Sequence, residues 1–284
     1  MKIIRSPQAM TTWSDRLRRE GVTIGFVPTM GALHAGHRAL IRAARLRCDA
    51  LVVSIFVNPT QFGPQEDLAK YPRPIEKDRA LCRVEGVDVC FEPGAQAMYP
   101  AGFQTVLSVP DIARRWEGEA RPHHFAGVAT VVTKLFGIVR PHIALFGQKD
   151  FQQATLVQRV AKDLNLGVDI VVRPTVRERN GLAMSSRNVY LSPEERTIAT
   201  VLYKSLQAGA AAIRRGLRDG KAVQETMRDI IRREPSVTID YFAVCNPATL
   251  EPLATVAGRT VLLGAIRLGS VRLIDNLLVA ARRR

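Results

Sequence analysis

The chain has 284 residues, 46% of them hydrophobic, and 41 Lys and Arg against 26 Asp and Glu give it a formal net charge of +15. This length and composition can bury a sizeable core and leave room for two domains. No apolar run reaches the length of a membrane span and the N-terminus lacks a secretory signal, so we expect a cytoplasmic enzyme with no membrane partner.

Apolar, β-branched runs alternate with helical patterns through the first part of the chain, which is typical of an α/β protein. The patterns predict helices over residues 35–47, 76–85, 127–139 and 152–164. The apolar runs predict buried parallel strands over residues 22–27, 50–57, 87–91, 143–146 and 168–172. We therefore expect a Rossmann-like doubly wound sheet over residues 1–174, with ligands at the carboxyl ends of its strands.

The pattern changes after residue 174. Ser192 is expected to cap a helix that has Pro193 at its first position, with Glu195 completing a capping box. Later apolar runs predict a small antiparallel sheet over residues 239–244, 260–266 and 271–274. We expect residues 175–284 to form a smaller α+β domain that acts as a lid.

The segment His34-Ala35-Gly36-His37 follows the first predicted strand and the turn 28–31, and it predicts a nucleotide-phosphate site. A strand that ends at Pro and Gly and leads into a helix leaves free backbone N–H groups and the positive end of the helix dipole. Histidines three residues apart share a helix face, so both can reach one phosphate, and Gly36 permits a close approach.

Two other interpretations of these histidines remain open. They could bind a metal, although residues 24–47 contain no Cys, Asp or Glu to complete a zinc shell. They could also be ordinary polar residues at the start of a helix. The preceding strand, turn and glycine favour the phosphate site.

Polar residues also follow two other predicted strands, over 58–62 and 147–150. We expect these segments and the histidines to line one crevice, because the carboxyl ends of parallel strands meet at one edge of a sheet. Lys149 would place a cation near a triphosphate. Asp150 could orient the lysine side chain, bind a ribose hydroxyl, or cap the helix that follows. Gln152 and Gln153 open that helix and are interpreted from the pattern alone as surface amides.

Two further segments carry suitable polar groups but are common in proteins. Residues 58–61 (Asn-Pro-Thr-Gln) could hold a hydroxy acid through their amides, or form only a proline turn. Residues 184–187 (Met-Ser-Ser-Arg) join two hydroxyls and an arginine in a loop near a glycine, which suits the binding of phosphate as charge develops.

The cysteines and the positive charge say little about function. The four cysteines form no C-x-x-C pair, so we expect reduced core thiols at Cys48, Cys82, Cys90 and Cys245. The charge permits a nucleic-acid partner, but basic residues are spread along the chain and cluster only at 282–284. We favour a general bias toward arginine as the explanation.

Four segments in this order resemble the pantoate–β-alanine ligases, or pantothenate synthetases, a family of the H-x-G-H nucleotidyltransferase superfamily. These segments are 27–37, 56–62, 146–153 and 181–188. The resemblance implies ATP-dependent condensation of (R)-pantoate with β-alanine through a pantoyl adenylate, with release of AMP and pyrophosphate. It also implies a homodimer, and a Mg²⁺ ion that accompanies the nucleotide.

The resemblance assigns roles to individual residues. The implied catalytic groups are His34, His37, Lys149 and Arg187, with His37 in the position of a proton donor. Gln61 and Gln153 would bind pantoate, and Gln61 would also lie near β-alanine. The implied ATP site consists of Met30, Gly31, Ala32, Leu33, His34, Ala35, Gly36, His37, Gly147, Gln148, Lys149, Asp150, Val176, Met184, Ser185, Ser186 and Arg187.

Asp78 resembles the acidic position near the metal in this family, although a solvated helix carboxylate would look the same in the sequence. The chain departs from the commonest family pattern at Gln148, Phe151, His123 and Ala126, where Glu, Tyr, Gly and Arg are more usual. Ala126 removes an arginine that could bind phosphate, while Arg121 in the same segment is retained.

Two rival functions follow from the same features. Another nucleotidyltransferase that adenylates a different small acid would share the H-x-G-H motif, but Gln61, Gln153 and the long C-terminal part argue against it. An RNA-binding protein would fit the charge alone. Only 6% of the residues are aromatic and no RNA-binding motif with stacking aromatics is present, so we expect no nucleic-acid partner.

Overall fold

The computed structural model describes residues 1–64 and 66–281, and the basic run 282–284 lies outside the described residues. The chain forms two compact units. The first consists of Met1–Gly147 and Leu156–Pro174, and the second of Gln148–Thr155 and Thr175–Arg284. Whether residues 1–174 and 175–284 act as a nucleotide-binding domain and its lid stays a prediction.

The first unit contains a six-stranded sheet in which the described pairings are parallel. Its spatial order is β1-β4-β3-β2-β5-β6. This arrangement confirms the predicted fold class and shows the strand order, which the sequence pattern left open. The strands are β1 (Lys2–Ile4), β2 (Ile24–Thr29), β3 (Ala50–Ile55), β4 (Val89–Phe91), β5 (Ile143–Gly147) and β6 (Asp169–Arg173).

Eight α-helices are described up to the end of β6. The four predicted helices are present with ends shifted by a few residues, whereas β1, the first helix and the three short helices between β4 and residue 121 were not predicted. The helices are α1 (Pro7–Arg19), α2 (Ala35–Arg45), α3 (Ile75–Val84), α4 (Ala95–Met98), α5 (Pro110–Ala113), α6 (Glu117–Ala120), α7 (His124–Val139) and α8 (Phe151–Asp163). The boundary between the two compact units crosses α8 after Thr155.

The centre of the sheet is apolar because β2 and β3 are covered on both faces, as expected for parallel strands. Phe26 of β2 is fully buried and packs edge-to-face on Phe136 of α7, with ring centroids 6.4 Å apart. Burying a side chain of this size stabilises the fold by about 1.5–3 kcal/mol. This rigid centre fixes the positions of the turns that follow β2 and β3.

The sheet opens at the carboxyl ends of β2 and β5. These strands pair at Gly25/Ile143 and Phe26/Ala144. Beyond that point β2 continues along β3 to Thr29, while β5 continues along β6 to Gly147. Strands β3 and β4 lie on one side of β2, and β5 and β6 lie on the other, so the direction in which successive strands are added to the sheet reverses here. Ligands of doubly wound sheets bind at such switch points.

The second unit contains an antiparallel sheet in the order β7-β8-β9, which confirms the predicted small sheet. The predicted capping box is also confirmed, because Ser192 Oγ accepts from Glu195 N at 3.2 Å and Glu195 Oε2 accepts from Ser192 N at 2.9 Å. The remaining elements are α9 (Pro193–Ile198), α10 (Val201–Arg214), α11 (Gly220–Ile231), β7 (Val237–Cys245), β8 (Arg259–Leu268) and β9 (Val271–Ala280).

All four cysteines are free thiols, as predicted. Cys82, Cys90 and Cys245 are buried, whereas Cys48 is only half-buried, and burial raises the pKa of its thiol. Within residues 1–64 and 66–281, the structure contains no helix with the length and apolar character needed to cross a membrane.

Candidate active site

The turn after β2 contains two consecutive residues with positive φ angles, and a threonine side chain bridges its start. Thr29 Oγ1 donates to Ser54 O at 2.7 Å and accepts from Gly31 N at 3.1 Å. Gly31 and Ala32 follow with positive φ angles of 84° and 51°. A Cβ atom at Gly31 would lie 3.0 Å from Asp78 Oδ2, so this position favours glycine both for its φ and for its space.

Asp78 of α3 holds this turn in place. Its Oδ2 accepts from Ala32 N and its Oδ1 accepts from Leu33 N, both at 2.8 Å. The side chain is buried, and this burial raises the pKa of the carboxyl group. Left-handed backbone at a non-glycine residue costs about 1–2 kcal/mol, and the two hydrogen bonds offset that cost. Asp78 is therefore not the solvated carboxylate that the sequence left open.

These contacts do not support a metal at Asp78. Both of its carboxylate oxygens already accept backbone N–H groups. Across residues 1–64 and 66–281, His, Cys, Asp and Glu side chains form no group of three or more that could hold a metal ion. The role of Asp78 near magnesium stays a prediction, and no catalytic step is assigned to it.

His34 and His37 form a reciprocal cap at the start of α2. His34 Nδ1 accepts from Gly36 N at 3.1 Å, and His37 Nδ1 accepts from His34 N at 3.3 Å. The ring centroids are 4.2 Å apart. A nitrogen that accepts a hydrogen bond carries no proton, so each neutral ring carries its proton on Nε2. Both rings are thereby set in the tautomer that donates through Nε2.

The turn differs from the predicted phosphate cradle in one respect. Its N–H groups donate to acceptors within the protein, at Gly31, Ala32, Leu33, His34 and Gly36. The expectation of free backbone N–H groups at this junction is therefore wrong for these five positions. Side-chain acceptors satisfy them because the turn is folded tightly against α3 and against its own histidines. Phosphate binding here would depend on side chains and on the dipole of α2.

Gln61 lies next to the turn that follows β2 in the first unit, in a 3₁₀ turn over Pro59–Gln61. Its side chain is buried, with Oε1 accepting from Asn58 Nδ2 at 3.1 Å and Nε2 lying 3.8 Å from Met30 Sδ. The first unit thus brings together two residues that the resemblance assigned to pantoate and to ATP. Asn58 was predicted only as one of the amides in residues 58–61 that could hold a hydroxy acid, and here its amide group donates to the Gln61 side chain.

The backbone of Gln61 is held from α7 and the segment before it. Its carbonyl oxygen accepts from Arg121 Nη2 at 3.1 Å and lies 3.0 Å from His124 Nδ1. Arg121 also pairs with Glu66, with Nη2 and Oε2 2.5 Å apart. A Cβ atom at Gly127 would lie 2.3 Å from Thr60 O, so glycine is required where α7 packs on the turn. Arg121 is therefore engaged in supporting Gln61.

His124 is neutral in this environment. Burial, together with the nearby Arg121 guanidinium, lowers its pKa to about 4. A neutral ring whose Nδ1 carries the proton can donate to the Gln61 carbonyl. His124 therefore fixes the turn that carries Gln61 without adding a charge to it.

The second unit carries the residues predicted after β5. Residues Gln148–Asp150 form a 3₁₀ turn, in which Lys149 Nζ lies 3.5 Å from Asp150 Oδ1. This distance supports the interpretation that Asp150 orients the lysine. Gln152 is buried and Gln153 is half-buried, so the interpretation of Gln152 as a surface amide is wrong.

Val176 and residues 184–187 lie on one hairpin of the second unit. Met184 N donates to Val176 O at 2.9 Å, and Arg177 pairs with Ala183. Ser185 then caps a short 3₁₀ helix, with its Oγ accepting from Arg187 N at 3.2 Å. These predicted ATP-site residues are therefore neighbours in space.

The predicted site residues are divided between the two units. Residues 30–37, Gln61 and Asp78 belong to the first unit, and Gly147 ends β5 there. Residues 148–150, Gln153, Val176 and residues 184–187 belong to the second unit. Their convergence on one nucleotide and one pantoate stays a prediction.

Comparison with known proteins gives consistent results along the whole chain. The family model of pantoate-beta-alanine ligase matches residues 2–278. The pantothenate synthetase of Desulfatibacillum aliphaticivorans is 50% identical over 276 residues, which are 97% of this chain and 98% of that protein. The pantothenate synthetase of Caldicellulosiruptor bescii is 48% identical over 282 residues, which are 99% of this chain and 100% of that protein.

Solved structures agree with the sequence relatives. A crystal structure of pantothenate synthetase from Thermus thermophilus has a TM-score of 0.92 at 45% identity, covering 98% of this chain and 99% of that one. The structure of pantoate-beta-alanine ligase from Francisella tularensis, complexed with beta-gamma ATP and beta-alanine, has a TM-score of 0.81 at 34% identity. The match covers 98% of this chain and 97% of that one.

Replacing His124 with Asn is expected to reduce the loss of stability in acid. Its pKa is about 4 in the folded chain and about 6.5 in an unfolded chain, so unfolding binds a proton between these values. The free energy of unfolding should therefore be fully retained above about pH 6.5 and fall as the pH drops toward about 4. Urea unfolding across this range measures the slope, which should be smaller in His124→Asn.

The exposed neighbouring ring provides a matched control. His123→Asn removes an imidazole one residue away that is exposed, and it should keep the slope of the parent chain. If His124→Asn has the same slope as the parent chain, His124 does not have a lowered pKa in the folded protein.

Proposed function

The chain belongs to the pantoate-β-alanine ligase family, and from this premise we propose that it joins (R)-pantoate to β-alanine through a pantoyl adenylate. The family match supports an ATP-dependent ligase that forms pantothenate. The observation that carries the residue assignments is the junction between β2 and α2. There, two imidazoles cap a helix N-terminus, and the Gln61 amide lies 3.8 Å from Met30 Sδ.

The reaction has two steps. A pantoate carboxylate oxygen attacks the α-phosphorus of ATP in line, forming one P–O bond while the bond to the β-phosphate breaks and pyrophosphate leaves. The amine of β-alanine then attacks the activated carbonyl carbon, loses a proton and expels AMP. A carboxylate is a poor acyl donor, and adenylation supplies the leaving group. Phosphoryl transfer of this kind needs positioning and charge neutralisation more than a protein nucleophile.

The phosphate side of the site is assigned to His34, His37, Lys149 and Arg187. The two imidazoles would donate through Nε2, because backbone N–H groups occupy their Nδ1 atoms. The N-terminus of α2 adds a favourable dipole for an anion. Lys149 and Arg187 would supply the positive charge that stabilises the departing pyrophosphate.

The acid side of the site is assigned to Gln61 and Gln153. Asn58 holds the side-chain amide of Gln61, and Arg121 and His124 hold its backbone carbonyl. Such a preorganised amide can hold hydroxyl or carboxylate oxygens with little loss of side-chain entropy. We assign Gln61 to β-alanine as well, since the amine must reach the same activated carbonyl.

Three parts of the proposal concern partners and location. Mg²⁺ would enter with the nucleotide as part of the substrate Mg·ATP, because magnesium is commonly held by phosphates and few protein ligands. A homodimer and a cytoplasmic location complete the expectation. A different nucleotidyltransferase or an RNA-binding protein is not favoured, since the relatives matched along the chain are pantothenate synthetases.

The first experiment asks whether activation precedes amide formation. With ATP, Mg²⁺ and pantoate but no β-alanine, the enzyme should exchange labelled pyrophosphate into ATP, because adenylate formation is reversible. Adding β-alanine should give pantothenate and AMP. A stoichiometric release of ADP instead would indicate an acyl phosphate and would overturn the proposed intermediate.

The second experiment separates the two sides of the site. His34→Ala, His37→Ala and Lys149→Ala should each lower pyrophosphate exchange by roughly a hundredfold or more, about 3 kcal/mol of transition-state stabilisation. Gln61→Ala and Gln153→Ala should mainly raise the pantoate requirement, by about 1–3 kcal/mol for each unpaired group.

Supplying synthetic pantoyl adenylate bypasses the first step and tests this division. The His34, His37 and Lys149 variants should then regain most of their amide formation, whereas the Gln61 and Gln153 variants should regain less. Melting curves of all five variants control for folding. Equal recovery in all five would contradict the separation into a phosphate side and an acid side.

A further inference from the structure

Two adjacent polar residues lie inside the apolar sheet of the second unit. Asp275 and Asn276 of β9 are 4% and 1% exposed. They pair with Gly264 and Leu263 of β8 in the unbroken ladder between the two strands. Burying polar side chains costs free energy unless they are hydrogen-bonded, so their partners show what they stabilise.

The Asn276 amide binds the turn that carries Lys149. Its Nδ2 donates to Gln148 O at 2.8 Å and to Lys149 O at 2.9 Å. Its Oδ1 accepts from Gln148 Nε2 at 3.1 Å. Both amide hydrogens and the amide oxygen are therefore used within one short turn.

Asp275 binds a different segment of the same unit. Its Oδ1 and Oδ2 accept from Arg177 Nη2 and Nη1 at 2.9 Å and 2.5 Å. The Arg177 guanidinium also stacks 3.6 Å from the centroid of the Tyr203 ring. Asp275 Oδ1 accepts from the backbone N–H of Asn276 at 2.7 Å, which helps to fix that residue. The two neighbours thus tie β9 to the hairpin over 176–184 and to the turn over 148–150.

We propose that Asn276 is a positioning residue for Lys149, fixing the backbone of its turn so that the ammonium group is directed for adenylation. This inference rests on the proposed function of Lys149. The amide is suited to the task because it offers two N–H donors to two neighbouring carbonyls and one acceptor to Gln148. Gln148, one of the departures from the usual family pattern, supplies the matching donor.

A substitution of nearly the same shape tests the proposal. Asn276→Asp keeps the shape of the side chain but faces two carbonyl oxygens with a carboxylate, so the turn should shift. A misplacement of about 1 Å can lower a rate on the order of a hundredfold. Pantoate-dependent pyrophosphate exchange should fall by roughly tenfold to a hundredfold, while amide formation from supplied pantoyl adenylate should change by less than about threefold.

A double-mutant cycle distinguishes this role from a purely structural one. If Asn276 acts through Lys149, then Asn276→Asp should lower exchange by less than about threefold when it is added to Lys149→Ala. A structural defect would lower both half-reactions together, and it would do so by the same factor in either background. Additive losses, or full exchange in Asn276→Asp alone, would overturn the proposal.

Two further variants keep the test decisive. Asn246→Asp makes the same chemical change in the same unit, where the Oδ1 atom only accepts from Ala248 N at 2.8 Å, so exchange should be unchanged. Asn276→Ser removes the paired donors without adding a charge, and it replaces the aspartate variant in the cycle if that variant does not fold. Absence of exchange in the parent enzyme would count against the proposed function, whereas normal exchange in a folded Asn276→Ser would count against the positioning role alone.

Discussion

Hydrogen bonding of the turn between β2 and α2 is the constraint on which the site depends. The positive φ angle of Ala32 places the turn in strained backbone, and the buried Asp78 carboxylate holds it by accepting from two of its N–H groups. The histidine rings accept two more. As a result, these four backbone N–H groups are satisfied internally, and in the proposed site the recognition of phosphate would depend on Nε2–H groups and cations.

The same principle supports the other two turns. Side chains from distant parts of the sequence bind the backbone around Gln61 and Lys149. They are the half-buried Arg121 and His124 in the first unit and the buried Asn276 in the second. Each of these side chains binds main-chain carbonyls, so the support acts on the backbone of the turn rather than on the Gln61 or Lys149 side chain. Support of this kind preorganises a site without enlarging its set of contacting residues.

Much of this architecture could be predicted from local patterns. Apolar runs bounded by Gly and Pro indicate the central strands, and the capping box at Ser192 follows from four residues. The prediction fails where distant residues decide. The last strand was predicted only over residues 271–274, where the apolar run ends. Strand β9 continues to Ala280 because Arg177 and the 148–149 carbonyls satisfy the polar pair that follows. Likewise, the contact of Asp78 with Ala32 and Leu33 spans more than forty residues, and no local pattern reveals it.

The tautomers of His34 and His37 test the central claim most directly. Side-chain ¹⁵N spectra of the selectively labelled protein distinguish a protonated Nε2 from a protonated Nδ1 in each ring. If backbone N–H groups bind both Nδ1 atoms, both neutral rings should carry their proton on Nε2, and added Mg·ATP should shift those Nε2 resonances. A proton on Nδ1 of either ring, in the absence of nucleotide, would contradict the account.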